Sequence, residues 1–300
     1  MITSQDNLIA ALANWQRWRA DWNKITWAAA YTAWRWYDFS PLNWTPVANT
    51  WTWTALNAQT PSETTWFGLY HWWNVTPDIK HILNMAAVTA VATWVPWRLM
   101  LVDMCLYYPW ISMNSATAQT LVNGNTLTRN TNWAWLRAYL VTQATTWATA
   151  HNVALSYTNQ AWTAWKTLPI TVACTASSIT PHITHSGTAA NNYWPFLPLA
   201  SWDSGIRSVQ TITISAASGA WTAALVLAKP LIDIPLTTAS VAVERDLLNQ
   251  LPSLPKIDDW ACLVWLYMAW AATAASTNFY SHIETVWDYL NIICYYKTIG

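Results

Sequence analysis

Apolar residues at Leu8, Leu12, Trp15, Trp18, Trp22, Ile25, Ala29, Ala33 and Trp36 step by three or four along the start of the chain, which is the period of one helix face. Ser4 or Asp6 stands where a cap is needed, Ser40-Pro41 supplies a stop, and Arg17 and Asp21 lie one turn apart on the opposite face. The spacing predicts one long N-terminal helix. Trp27 and Trp34 fall off the stripe, so that helix is expected to touch partners on more than one side.

Further along, Thr76-Pro77-Asp78 offers a cap, a first-turn proline and a first-turn acid for a helix carrying Ile79, Ile82, Leu83, Ala86 and Ala90. Helical pattern is also read over 97–108, 132–166, 237–251 and from Trp260 onward. Ser281 and Glu284 have capping-box spacing ahead of the stripe Ile283, Trp287, Leu290 and Cys294. The polar stretch from Ser112 to Thr131, with Asn123-Gly124-Asn125, reads as an exposed loop.

Period two appears in Thr50-Trp51-Thr52-Trp53-Thr54, a short strand or extended arm. It returns between 168 and 236, where Ile170-Thr171-Val172, Val209 to Ile214 and Leu225-Val226-Leu227 carry the β-branched runs that suit strands. The expected fold class is therefore α+β, predominantly α-helical with a central β-rich subdomain. The expected division is a helical region over 1–167 with an extended Trp-rich arm, a β-rich insert over 168–236, and a C-terminal helical region over 237–300 that packs on the first. All three can belong to one single domain.

Composition changes the picture at one point. The chain has 27 tryptophans but only three glutamates, Glu63, Glu244 and Glu284, and its 14 basic and 14 acidic side chains cancel to zero. Charged residues make up 9% of it, against about 25% in an ordinary domain. Net charge near zero promotes association, so much of the surface is expected to be covered by neighbouring subunits. Lys and Arg are scattered, the densest group being Arg17, Arg19 and Lys24 around Asp21, which disfavours nucleic-acid binding through a basic stripe.

Catalytic motifs are not read from the chain: no phosphate loop, dinucleotide fingerprint, nucleophile elbow or zinc-protease helix. Asp38, Asp78 and Asp103 could serve a glycosidase, but nothing in the sequence pairs them. His182-Ile183-Thr184-His185, with Asp203 beyond, is the one compact polar group, and its Pro181 and Gly187 neighbours place it in a loop rather than on a metal-binding helix face. His71, beside Trp72 and Trp73 and close to Asp78, is explained by aromatic packing. Cys105, Cys174, Cys262 and Cys294 sit in apolar settings and are expected as buried thiols in a reducing compartment. The opening residues lack a secretory leader's basic start and apolar run. Asn43-Trp44-Thr45 and Asn74-Val75-Thr76 have glycosylation spacing, which a Thr-rich chain produces by chance.

Tryptophan is left as the functional residue type, because its large rigid ring is favoured at interface hot spots. Trp15, Trp18, Trp22, Trp27, Trp34, Trp51, Trp53, Trp72 and Trp73 are the expected interface residues. The sequence reading is a structural assembly subunit of a large symmetric particle, a viral capsid or capsid-surface protrusion protein, in the virion or a cytoplasmic particle. It expects no catalysis, cofactor, metal or small-molecule substrate. Its partners are copies of itself and other particle subunits, with 112–131 and 180–204 facing outward. Two alternatives are a membrane-associated protein using 260–281 and interfacial Trp, and a Trp-lined carbohydrate-binding or hydrolytic protein.

Overall fold

The computed structural model describes residues 4–25, 31–52, 54–63, 67–72, 74–76, 78–89, 97–144, 149–176, 180–186, 194–216, 221–250, 254–269 and 278–287. Three antiparallel sheets make up this region, with 49% strand against 6% helix. The expectation of a predominantly helical chain is thereby overturned.

The middle sheet explains why. It runs in the order β2 (Arg35–Asp38), β15 (Leu263–Ala269), β5 (Trp97–Ser112), β12 (Thr222–Leu236) and β7 (Arg137–Thr142). Along β12, Ala224, Val226 and Ala228 enter one core while Ala223, Leu225 and Leu227 enter a second. Tyr139 and Val141 of β7 face the first core, and Ala138 and Leu140 face the second. A strand buried on both faces reads as a continuous apolar run, and such a run cannot be told from a buried helix by periodicity. Residues 99–102 and 263–268 are such runs, and both were read as helical.

One outer sheet has the order β13 (Val243–Asp246), β4 (Lys80–Thr89), β16 (Asn278–Trp287), β1 (Arg17–Ile25) and β3 (Asn43–Thr45), with β14 (Lys256–Ile257) also on β4. Its inward residues Ala20, Trp22, Ile82, Met85, Phe279 and Ile283 close the first core. The other outer sheet, β10 (Val172–Cys174), β8 (His151–Asn159), β11 (Ile206–Ile214) and β6 (Gln119–Thr120), with β9 (Lys166–Thr167) on β8, closes the second through Val153, Leu155, Val209 and Ile212. The chain is thus a three-layer β-sandwich. The expected strands near 172, 209–214 and 225–227 are present, and β12 pairs with β5 and β7 rather than with β10 or β11.

The long N-terminal helix shrinks to α1 (Gln5–Ala13), whose Ser4 hydroxyl accepts from the Asn7 amide at 3.2 Å as the cap. From Arg17 the chain is strand, where Ala20, Trp22 and Lys24 alternate inward and Arg17, Arg19 and Asp21 outward. The 76–90 and 97–108 helices are β4 and β5, the 132–166 region holds β7 and β8, and α2 (Leu247–Gln250) is a single turn after β13. Residues 263–269 and 278–287 are strands, so the 260–281 span is not a helix. Among the described residues no helix is long and apolar enough to cross a membrane. No strand forms at 50–52, and Trp53 lies outside the described residues.

Fifteen described residues other than glycine hold φ between 51° and 91°, and twelve of them are tryptophans: Trp15, Trp34, Trp44, Trp51, Trp72, Trp110, Trp133, Trp135, Trp162, Trp165, Trp202 and Trp260. This left-handed region crowds the Cβ of any bulky residue, at about 1–2 kcal/mol each.

Candidate functional site

A cavity of about 620 Å³ opens where β1, from Trp18 to Asp21, meets the segment after β3, Glu63 and residues 68–70. Trp18, Trp44, Pro46, Leu69 and Tyr70 give it apolar walls, and Glu63 brings a carboxylate to its lining. Trp18 meets Tyr70 edge-on at 5.8 Å and Trp72 at 4.8 Å, and Trp72 in turn stacks on Trp287 at 5.9 Å. A concave apolar site with a few polar groups is the kind of place that binds ligands.

Next to Glu63 lies a buried polar chain. His71 Nε2 is 2.9 Å from the Ala261 carbonyl, which only an N–H can approach, so the proton belongs on Nε2 and Nδ1 is the acceptor. Lys80 Nζ donates to that Nδ1 at 3.0 Å and to the Trp72 carbonyl at 2.8 Å. Burial, with Lys80 adding to it, holds His71 neutral, its pKa lowered to about 4. Burial likewise lowers Lys80 to about 8, and pushes the Glu63 carboxyl up from its ordinary range. Glu63 Oε2 stands 3.6 Å from Nε2; with His71 neutral this is a dipolar contact and not an ion pair. The arrangement pins the 63–72 segment to β4 and to the turn before β15. A proton on Lys80 is available at its inner end.

A second buried pair lies under β1. Lys24 points into the protein and donates to the carbonyls of Leu42, at 2.8 Å, and Pro46. Burial lowers it to about 7, partly offset by Asp38. Asp38 accepts from the Ser40 amide at 2.7 Å and the Tyr139 hydroxyl at 2.9 Å, while burial raises it to about 6. These contacts fix the chain leaving β2 and the edge strand β3.

The tryptophans singled out from sequence scatter. Trp18 and Trp72 come together at the cavity, Trp22 is in the first core, and Trp51 is buried edge-on to Tyr107 at 5.2 Å. Trp15 is 82% exposed just beyond α1, and Trp34 is partly exposed ahead of β2. Trp27, Trp53 and Trp73 lie outside the described residues.

The histidine pair differs from its outward-facing expectation. His182 and His185 are fully buried between β2 and β7, where Tyr37 bridges to His182 and Val141 to Ile183. His185 Nε2 bonds the Pro195 carbonyl at 2.9 Å, and burial lowers it to about 4 and His182 further still. Among the described residues no three metal-ligand side chains gather. Asp203 is a structural acceptor for the Tyr157 hydroxyl and the Asn159 amide, both at 2.7 Å. Residues 112–131, by contrast, are largely exposed as expected. Cys105, Cys174 and Cys262 are buried thiols, and Cys294 lies outside the described residues.

Sequence reasoning missed Glu63, Lys80 and Lys24 as site residues, and named Asp38 only as a carboxylate that could serve a glycosidase. Glu63 carried one usable signal, its rarity, since one of three glutamates in an acid-poor chain is placed beside the only His-Trp-Trp run. Comparison of the chain with known families, with characterised proteins and with solved structures gave no match in any of the three.

Proposed function

We propose that the protein is a structural assembly subunit of a large symmetric particle, a viral capsid or capsid-surface protrusion protein. Its partners are further copies of the chain and other particle subunits, in the virion or in a particle assembling in the cytoplasm, and its role is not catalytic. The observation that supports this reading is the sparse and balanced charge of the exterior: 14 basic and 14 acidic residues in 300, several of them spent on buried networks. Copies of such a body can approach closely without like-charge repulsion. Symmetry then repeats each contact around the particle.

Two features suit such contacts. β3 is an edge strand with all three residues exposed, so its unpaired backbone side is open to another chain. The 112–131 excursion is exposed along most of its length yet anchored at its base by Arg129, which would give it a fixed shape for a neighbour to meet.

Light scattering on native, detergent-free material, compared with 34.0 kDa for one chain, tests the reading. A megadalton species of narrow mass distribution is the expected result. A monodisperse monomer at all accessible concentrations would rule it out.

A further inference from the structure

Twelve tryptophans occupy the backbone region that belongs to glycine, and their surroundings say the same thing as their φ angles. The clearest case is the end of α1. The Gln16 amide donates to the Ala11 carbonyl at 3.0 Å and the Trp15 amide to the Leu12 carbonyl at 3.2 Å, with Asn14 as the C-cap. That is a Schellman motif, and Trp15, at φ 59°, fills the position where helices place glycine.

Turns repeat the pattern. The Trp162 amide donates to the Asn159 carbonyl at 3.1 Å and the Trp133 amide to the Asn130 carbonyl at 2.8 Å, so each ring sits on the last residue of a four-residue turn, where glycine is favoured. Trp44 holds φ 91° inside the short edge strand β3, opposite Lys24, where an L side chain is equally disfavoured. The ring of Trp162 stands out into solvent, and its centroid lies only 2.7 Å from Arg207 Cζ, so the one neighbour it meets it meets too closely.

The remaining tryptophans behave differently. Trp22, Trp36 and Trp265 lie in strands with extended backbone and are almost wholly buried, whereas Trp15, Trp44, Trp135, Trp162, Trp165 and Trp202 are among the most exposed apolar side chains of the molecule, Trp202 at 98%. Trp51 and Trp110 depart from this division, the first buried against Tyr107 and the second partly buried on the first core, and for them the φ angle alone speaks. Glycine meanwhile is scarce, six in 300; with the twelve added it would stand near the usual ~7%.

We propose that the chain made in its native cell carries glycine at these twelve positions, each specified by a UGA codon that the cell reads as glycine and that other genetic codes read as tryptophan. A single reassigned codon accounts for the direction of the exchange. It also explains why Gly68, Gly124 and Gly205 remain, since they would use other glycine codons. Trp18, Trp22, Trp36 and Trp265 would use the ordinary tryptophan codon. On this inference Trp15, Trp34, Trp51 and Trp72 drop out as aromatic contact residues, and the cavity loses the ring of Trp44. The assembly reading does not depend on it, because that reading rests on charge.

Peptide mass spectrometry of the protein from its native source is the test. Peptides spanning residues 15, 133, 135, 162, 165 and 202 are expected to be lighter by the difference between an indolylmethyl group and a hydrogen at each site, while peptides with Trp22, Trp36 and Trp265 keep tryptophan. Tryptophan masses at the twelve sites, or UGG codons there in the gene, would overturn the proposal. A recombinant chain with all twelve changed to glycine provides a second reading. It is expected to melt at higher temperature than the tryptophan chain, or to fold where that chain does not, while W22G lowers the melting temperature. An equal or lower melting temperature for the twelve-glycine chain would also overturn it.

Discussion

The guanidinium of Arg129 closes on the carboxylate of Asp103 with Nη2 2.7 Å from Oδ1 and Nε 2.9 Å from Oδ2, both side chains almost entirely withdrawn from water. Arg129 also donates to the carbonyls of Pro61 and Met104, and Asp103 accepts from the Asn130 side chain and the Cys262 amide. Four separated parts of the chain, at Pro61, Asp103, Arg129 and Cys262, meet in this one network, at the end of the exposed 112–131 excursion.

Removing one partner of a buried pair strands the other charge. Arg129→Met is therefore expected to lower unfolding free energy by about 3–5 kcal/mol. Urea titration of the variant checks this. The double variant Asp103→Leu, Arg129→Met should lose less than the sum of the single losses, because neither charge is then left alone.

Acid should weaken the fold between about pH 6.5 and pH 4. His71 and His185 have folded pKa values lowered to about 4 from 6.5, so in that window the unfolded chain binds protons that the folded one does not, and stability falls as pH falls. Asp38, raised to about 6, works the other way over an overlapping range, because its folded carboxyl takes up a proton before the unfolded one. Glu63 and Asp78, also raised by burial, act with Asp38. His182, His81, His151 and His282, also lowered, act with His71 and His185, so the histidines outnumber the carboxylates and leave a net loss. Denaturation midpoints at pH 7 and pH 4.5 should differ in that direction, and His71→Gln should narrow the difference.

On the alkaline side the sign follows from Lys24 and Lys80, lowered to about 7 and about 8 from 10.5. Below pH 10.5 the unfolded lysines hold protons more tightly than the folded ones, so stability should rise as pH climbs from 7 toward 9, above which the Cys105 and Cys174 thiols, raised by burial, oppose the rise. Lys24→Met, which keeps the stem and removes the charge, should flatten that rise when midpoints are measured across the range.

Trp265 is fully buried in the first core. Trp265→Ala is expected to cost about 3–5 kcal/mol through lost burial and the cavity left behind. A loss below 1 kcal/mol by chemical denaturation would contradict the placement of β15 in the middle layer.

Gly205 is a position where any Cβ would run into the carbonyl oxygen of Trp133 and lie 3.2 Å from the Leu136 amide. Gly205→Ala should cost about 1–3 kcal/mol, as overpacking does. Thermal unfolding of the variant measures it.

Much of the architecture was hidden in the sequence for one physical reason. Leu99 to Val102 and Leu263 to Met268 are buried on both faces, so the alternation that marks a strand is erased where the sheet is most central. The segments with one polar face were readable: Ser4 as a cap, and Val209 and Ile212 of β11. The 3.6-residue stripe from Leu8 to Trp36 misled because Trp15, at φ 59° just past the end of α1, counted as an apolar helix position while occupying a place of backbone reversal, and because Trp18 and Trp22 belong to a strand. Of the candidate site, Trp18 and Trp72 were named from sequence. Lys80 and Lys24 were not, since a single lysine in a strand carries no mark of pointing inward, and only the carbonyls of Trp72 and Leu42 reveal it.

A middle layer flanked on both sides has a further effect on how the chain finds its register. In a two-layer sandwich, slipping a strand by one residue turns its apolar side to water, and solvent rejects the error. In β12 the same slip would only exchange Ala224, Val226 and Ala228 for Ala223, Leu225 and Leu227 between two equally dry interiors. Polarity cannot police that mistake. Shape must do so, through the smaller residues that β12 turns toward the first core, the larger ones toward the second, and the irregularities at Ala223/Leu225, Leu227/Ala228 and Pro230/Ile232 that lock β12 against β5.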